Sequence, residues 1–394
     1  MAKLVFGTDK TNSVTPAMVR NVTPSRYVEY SIDNNGKLIP TKDQKFLDFS
    51  GVEEISEYGF PYTYYNNTYN NIAYNIDLSD IKKVNRYGFY NTFYNCPGIR
   101  GSLDLSSLQN ASDYSFYNAF RECGNITSVD LSGIETISGQ NALGYTFYRN
   151  TGLTSIDFSS LRVCNGMWAI YCLCWECSNL TTVNLSKLEY LYYECLAYTF
   201  SGCTSLTNID LSNLIVLVST DPMGYTFQNC SALTSVDLSS LNTLSGAQQA
   251  MQYCFKNCTS LTSLSFPAIT KNSFGTQYIN QFYNMCSGIP NITIHFPSNV
   301  RSVVETLSSY DTLFGATNGT ILFDLPATVE LKGANNYRYV RQHKKDTATA
   351  LAWYYSNTYA TLYSSGLSTP AVGDTLYSDP ECTTSVTTVS EVIS

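Results

Sequence analysis

The sequence predicts a repeat solenoid: a parallel β stack with short helical or irregular returns and small β modules at its two ends. Three observations lead there. First, the phrase LTSIDFSSL (Leu153 to Leu161) returns as LTTVNLSKL from Leu180, LTNIDLSNL from Leu206 and LTSVDLSSL from Leu233. Second, the position of Asp157 recurs at Asp48, Asp77, Asp104, Asp130, Asn184, Asp210, Asp237, Ser265, His295 and Asp324, in steps of 26 to 30 residues. A fixed period of that size marks stacked coils, not a closed globule. Third, an aromatic stands ten residues before that slot at Phe120, Phe147, Phe200, Phe227 and Phe255, with Cys174 in its place once.

Within one coil Leu153, Ile156, Phe158 and Leu161 are apolar, and Ile156 and Phe158 alternate around Asp157. Alternation of period two gives a short strand with one buried face. The strands are expected to form one continuous parallel sheet through Asp104, Asp130, Asp157, Asn184, Asp210 and Asp237, with neighbours about 4.8 Å apart. The stack is leucine-rich-repeat-like, since L-x-x-L-x-L matches that signature over its first six positions. Leu161 holds the place of the usual asparagine or cysteine. Seven of the 13 cysteines share a different slot: Cys96, Cys123, Cys177, Cys203, Cys230, Cys258 and Cys286, with Asn150 in the remaining full repeat. A repeated slot means a repeated environment, so these read as reduced packing thiols.

The phrase AYTFSGCTSLTNIDLSNL (Ala197 to Leu214) resembles the BspA-like class of leucine-rich repeats, which runs A-F-x-x-C-x-x-L-x-x-I-x-L-P and then V-T-x-I-G. Phe200, Cys203, Leu206, Ile209 and Leu211 fall on that pattern, and Pro267 and Pro297 recover its proline. The resemblance covers about residues 46–330 and departs in two ways. Serine replaces the proline in most copies, and each coil carries extra residues before the aromatic. The class occurs in bacterial surface and adhesion proteins. The resemblance therefore implies binding or adhesion, and it implies no catalytic residue.

Charged residues make up only 14% of the chain and the net charge is −8. Phosphate binding needs a basic field, so the balance argues against a nucleic-acid partner. The one dense basic run, Arg338 to Lys345, lies outside the repeats and reads as a solvated linker. No apolar run reaches membrane-spanning length. Met1 to Gly7 has no apolar signal core, so export by an ordinary signal route is not expected.

Three parts follow: residues 1–45 as an N-terminal cap or attachment segment, residues 46–330 as a solenoid of about ten coils, and residues 331–394 as a small C-terminal β module. Tyr27 to Ile39 reads as a hairpin turning near Asn35-Gly36. STPAVGDTLYSD (Ser368 to Asp379) is similar to small modules of phage and prophage tail proteins. That resemblance implies display on a virion, with a surface-assembly partner held by the ends.

Two sets of residues are candidates for ligand binding. One is the outward strand row Asp130, Asp157, Asn184, Asp210 and Asp237. Neighbouring carboxylates at this spacing repel by about 0.9 kcal/mol even in water. Either each accepts locally from the serine turn that follows, or the row binds cations or a polar ligand. The other set is the variable stretch before each aromatic, with Asn141, Trp168, Gln248 and Gln249 as its recognition-type side chains. The alternative is that these stretches are packing spacers. Cys172, Cys174 and Cys177 form C-x-C-x-x-C, but two of them fill ordinary repeat slots, so packing outweighs a metal or redox role. With two histidines and no nucleophile, phosphate-loop or metalloprotease motif, neither enzyme chemistry nor a cofactor is expected. The expected function is recognition of a host-cell surface protein or glycan, outside the cell or on a virion. An intracellular scaffold and a polysaccharide-degrading enzyme are the alternatives.

Overall fold

The computed structural model describes residues 30–32, 38–40, 46–49, 51–66, 75–244, 249–274, 281–297, 300, 315, 318–324, 330–333, 338–344, 350–355, 361–365, 374–377 and 385–393. One coil shows how the repeat folds. Strand Ser155–Asp157 ends in a turn closed by the Leu161 N–H on the Phe158 carbonyl at 2.9 Å. A second strand, Val163–Cys164, follows. An arm then runs to Cys177, where the Leu180 N–H closes a turn on the Cys177 carbonyl at 3.0 Å. Leu153, Ile156, Phe158 and Leu161 are all buried. Burying such side chains contributes about 1.5–3 kcal/mol each.

The strand register follows the period. Asp48 pairs with Asp77, Asp104 with Asp130, Asp130 with Asp157, Asp157 with Asn184, and Asp210 with Asp237, all in parallel. The expected continuous sheet is nevertheless segmented. No strand ladder joins Asn75–Asp77 to Arg100–Asp104, Thr182–Asn184 to Asn208–Asp210, or Ser235–Asp237 to Ser263–Ser265. Most of these strands are three residues long, so one lengthened bond ends a ladder. The slot assignment also needs a correction at its end. His295 pairs with Leu322, and Asp324 pairs with Pro297, two residues further along. A second parallel row runs beside the first, with Thr136–Ile137, Val163–Cys164, Tyr190–Leu191 and Val216–Leu217 in register.

The arms are not helical. Every second N–H points to the next coil: Tyr87 to the Asp113 carbonyl, Phe89 to Ser115, Asn91 to Tyr117, Phe93 to Ala119 and Asn95 to Arg121, at 2.7–3.2 Å. The intervening N–H groups turn back within the arm, as Gly88 does to Asn85 and Tyr90 to Tyr87. Alternating directions require a left-handed residue every fourth position: Tyr87, Asn91 and Asn95, then Tyr114, Asn118 and Glu122, then Asn141, Tyr145 and Arg149. A non-glycine residue there costs about 1–2 kcal/mol. The hydrogen bonds made across the interface, each worth about 0.5–1.5 kcal/mol net, offset that cost. This wall crosses the interfaces where the strand ladders lapse, with Phe89 to Ser115 at 2.7 Å, Tyr198 to Gly224 at 2.9 Å and Phe255 to Met285 at 2.8 Å.

Inside the arm runs a phenylalanine stack: Tyr64, Phe93, Phe120 and Phe147 at 5.0–5.9 Å, and Phe200, Phe227 and Phe255 at 5.7–5.8 Å. Cys174 fills the gap. The cysteine slot has a defined task. Cys123 Sγ donates to the Phe93 carbonyl at 2.9 Å, Cys177 to Phe147 at 3.0 Å, Cys230 to Phe200 at 3.1 Å and Cys258 to Phe227 at 3.0 Å. Asn150 donates its Nδ2 to the equivalent Phe120 carbonyl at 2.9 Å. Cysteine and asparagine therefore interchange as donors at one buried acceptor. All twelve described cysteines are buried free thiols, those of the C-x-C-x-x-C run included.

At the C-terminal side, Asn291–Pro297 pairs in parallel with Asn318–Asp324, which pairs antiparallel with Arg338–Lys344. The later strands extend that same sheet to Ala350–Tyr355. Near the N-terminus, Tyr30–Ile32 pairs antiparallel with Leu38–Pro40. The expected turn at Asn35-Gly36 lies outside the described residues.

Asn150→Ala is expected to cost about 1–3 kcal/mol in urea denaturation, because it orphans the buried Phe120 carbonyl. Asn150→Cys should match or exceed the wild type, since it restores the usual donor and removes a buried amide oxygen that has no partner. A cysteine variant as unstable as the alanine one contradicts this account of the slot. Thiol labelling of the native protein should be slow at Cys203, Cys230 and Cys258 and complete after denaturation, with mass spectrometry of the labelled peptides as the check.

Candidate recognition surface

The aspartate row is locally satisfied. Asp77 Oδ1 accepts from the Ser79 N–H at 3.1 Å and its hydroxyl at 2.7 Å, and Asp104 from Ser106 at 2.9 and 2.6 Å. Asp130, Asp157, Asp210 and Asp237 accept the N–H of Ser132, Ser159, Ser212 and Ser239 at 2.8–2.9 Å, and Asn184 takes Ser186 at 3.3 Å. Each is the Asx-type turn that a serine two residues on permits. Asp210 and Asp237 are exposed, while Asp130, Asp157 and Asn184 are half-buried. Among the described residues no group of three or more His, Cys, Asp or Glu is placed to hold a metal ion. A groove of about 540 Å³ opens beside Asp210 and Asp237, floored by Ile209, Val236 and Pro267 and edged by Ser239 and Ser265.

The arm carries a different row. Tyr62, Tyr90, Tyr117, Tyr145, Tyr171, Tyr198, Tyr225, Tyr253 and Tyr283 follow one another across nine coils, with ring centroids 4.5–5.9 Å apart at every step. The tyrosine comes from either of two adjacent positions. Tyr62, Tyr145, Tyr198, Tyr225 and Tyr253 are themselves left-handed, whereas Tyr90, Tyr117, Tyr171 and Tyr283 precede the left-handed Asn91, Asn118, Cys172 and Asn284. That choice sets the packing. Where successive coils use the same position the rings stack, at 12° for Tyr90–Tyr117, 5° for Tyr198–Tyr225 and 21° for Tyr225–Tyr253. Where the position switches they meet edge to face, at 68–87°. Both geometries are favourable, at about 0.5–1.5 kcal/mol a pair. Burial pushes the Tyr90 and Tyr171 phenols up to about 12, so the row stays neutral at ordinary pH.

Flanking side chains widen this face. Tyr58, Tyr87 and Tyr114 stack at 5.1 and 5.2 Å. Arg121 lies over Tyr148 at 4.4 Å and pairs with Glu122 at 3.4 Å, while Arg149 lies over the same ring at 5.0 Å and pairs with Glu176. The exposed large apolar side chains among the described residues are Tyr58, Tyr62, Met167 and Tyr193, all on the arms and 43–50% exposed. Sequence reasoning had Tyr145, Tyr198, Tyr225 and Tyr253 in one slot. It missed Tyr90, Tyr117, Tyr171 and Tyr283 because a one-residue offset hides them from a fixed period.

The loop candidates divide. Asn141, Trp168 and Gln249 share one left-handed row. Asn141 is buried, which corrects its reading as an exposed recognition residue: its amide folds over Gly144, where a Cβ would meet Asn141 Oδ1 at 2.9 Å. Gln249 is half-buried, and Gln248 lies outside the described residues. Trp168 is half-buried and donates its indole N–H to Glu194 Oε2 at 2.9 Å. Asp221, the next member of that row, packs over Gly224 and has a buried Oδ1 with no hydrogen-bond partner.

With the geometry in hand, comparison with known proteins is informative about the repeat. The model of the BspA type leucine rich repeat region matches in six copies over residues 53–197 and 170–310, well over half of the chain. The chain belongs to the BspA-type leucine-rich repeat family. No curated protein matches it. Among solved structures it is similar to a chain in the crystal structure of the TLR13-ssRNA13 complex, at 15% identity over 64% of this chain and 43% of that one, with a TM-score of 0.24. The chain thus spans less than half of that neighbour, and so low a score carries no argument about partners. The family points to a protein-interaction or adhesion role. No described helix is long and apolar enough to cross a membrane.

One carboxyl in this BspA-type solenoid is pushed far above its ordinary range. Burial, and then the neighbouring Glu194 charge, push the Asp221 carboxyl up to about 7. Tyr225 and Cys254 also feel its charge. A raised folded pKa favours the protonated form, so its contribution is full below the unfolded value near 3.9 and is lost as pH rises through 7. Asp221→Asn should therefore leave thermal stability nearly unchanged at pH 4 and raise it at pH 8, by on the order of 2–4 kcal/mol. Equal effects at both pH values contradict the assignment.

Proposed function

We propose that this BspA-type chain is a non-enzymatic recognition and adhesion protein that docks a host-cell surface protein on its tyrosine-bearing arms. The observation that carries the reading is the unbroken tyrosine row, kept across nine coils even where its sequence position shifts. Tyrosine offers rigid area and a hydroxyl at low entropic cost, which suits protein interfaces. In the stacked stretches the ring faces are covered by neighbouring rings, an arrangement better matched to a protein surface than to sugar stacking. The family's occurrence in surface and adhesion proteins supports the reading. In this proposal residues 1–45 and 331–394 mount the rod on a virion or cell surface.

A second reading, glycan binding, is favoured by the groove beside Asp210 and Asp237, where carboxylates and serine hydroxyls edge an apolar floor. Arrays of cell-surface proteins and of glycans, probed with the wild type and two double variants, separate the two. Tyr58→Asn/Tyr62→Asn keeps residues that tolerate the left-handed backbone and should weaken protein capture about tenfold or more. Asp210→Asn/Asp237→Asn should not. Protein capture indifferent to the tyrosine change sinks the first reading, and glycan capture lost in the aspartate variant establishes the second.

A further inference from the structure

The arm face supplies its own template for binding a cation. Arg149 sits over the Tyr148 ring at 5.0 Å while its guanidinium pairs with Glu176 at 2.6 Å. Arg121 repeats the arrangement, over Tyr148 at 4.4 Å and against Glu122 at 3.4 Å. Ring and carboxylate act together: the ring quadrupole attracts the cation and the carboxylate neutralises it.

Further along the same face, the ring and carboxylate parts recur without the cation. Trp168, Glu194 and Asp221 are consecutive members of one left-handed row, tied by the Trp168 N–H to the Tyr193 carbonyl at 3.1 Å and the Glu194 N–H to the Thr220 carbonyl at 3.0 Å. The indole N–H fixes Glu194 through Oε2 at 2.9 Å. Tyr193 and Met167 beside them are 46% and 43% exposed, two of the most open apolar side chains described. Among the described residues no Lys or Arg pairs with Glu194 or Asp221. Asp221 keeps a buried oxygen without a hydrogen-bond partner.

We infer that the Trp168–Tyr193–Glu194–Asp221 patch is the seat for a basic side chain, an arginine or lysine presented by the protein partner. The inference rests on the reading of the arm as a protein-docking face and names the chemistry that this face selects. The excess negative charge of the chain, −8, favours a basic partner and would steer its approach. A cation arriving between the two carboxylates relieves their mutual repulsion, and Trp168 is the strongest cation–π acceptor among the side chains there.

The test uses the full-length protein, at pH 8 and about 150 mM salt, where long-range attraction between exposed charges is screened. The probe is a hexa-arginine peptide, and hexa-citrulline is its uncharged isostere. Binding is read from tryptophan fluorescence, with Trp168→Phe identifying the responding ring. Saturable binding of hexa-arginine, none of hexa-citrulline, and a loss of about five- to tenfold in affinity for each of Glu194→Gln and Asp221→Asn support the seat. The charge-matched control Glu135→Gln, an exposed acid just before the second-row strand Thr136–Ile137, should change affinity less than twofold. An equal loss with Glu135→Gln, equal binding of citrulline, or no saturable binding overturns the assignment. Failure of the peptide while capture through Tyr58 and Tyr62 persists removes this inference alone. Failure of both removes the docking reading beneath it.

Discussion

The hydrogen bonds that cross from each arm to the next are the constraint on which this molecule depends. An arm that must send every second N–H outward and turn the others back cannot stay in one backbone region. It visits the left-handed region every fourth residue, at a cost that isolated tyrosines, glutamates or arginines would not sustain. The neighbouring coil makes it sustainable by accepting those N–H groups, so no arm is stable without its neighbours. The strand ladders are secondary to this. They lapse at three interfaces while the arms hold across them.

Repeating the backbone repeats the side-chain environment. The inward positions become the phenylalanine stack and the slot of cysteine donors, and a thiol suits that slot because it is small, apolar and still able to donate to a buried carbonyl. Asn150 meets the same acceptor with an amide and leaves its own oxygen unpartnered. The outward positions become the tyrosine row. Two adjacent backbone positions can each deliver a ring to the same strip of surface, so the strip stays aromatic while the sequence beneath it varies.

The two candidate faces differ in what they leave unspent. On the strand face Oδ1 of each aspartate accepts from the serine turn that follows it. On the arm face, rings and carboxylates stand partly open, some covered by the chain's own arginines and one group uncovered. A BspA-type solenoid can then separate rigidity from display, with the coil interior fixing the spacing and the arm surface presenting the groups.

Much of this was legible in the sequence. Period, strand alternation and the Asp–Ser turns are local: Ile156 and Phe158 flank Asp157 within three residues, and Ser159 follows two later, so neighbours along the chain settle them. The cysteine slot was visible as a buried repeat, though its carbonyl acceptor, 30 residues away in sequence for Cys123, was not. What only the tertiary structure decided is what lies between coils. Tyr90 and Tyr117 became neighbours of Tyr62 and Tyr145 despite their offset, Asn141 went inside while Trp168 met Glu194, and Asp324 fell two residues out of register. The physical reason is that one residue's shift along an arm is absorbed by a change in ring angle when coils stack. A sequence period fixes which residues recur, and only the stacked backbone fixes which of them touch.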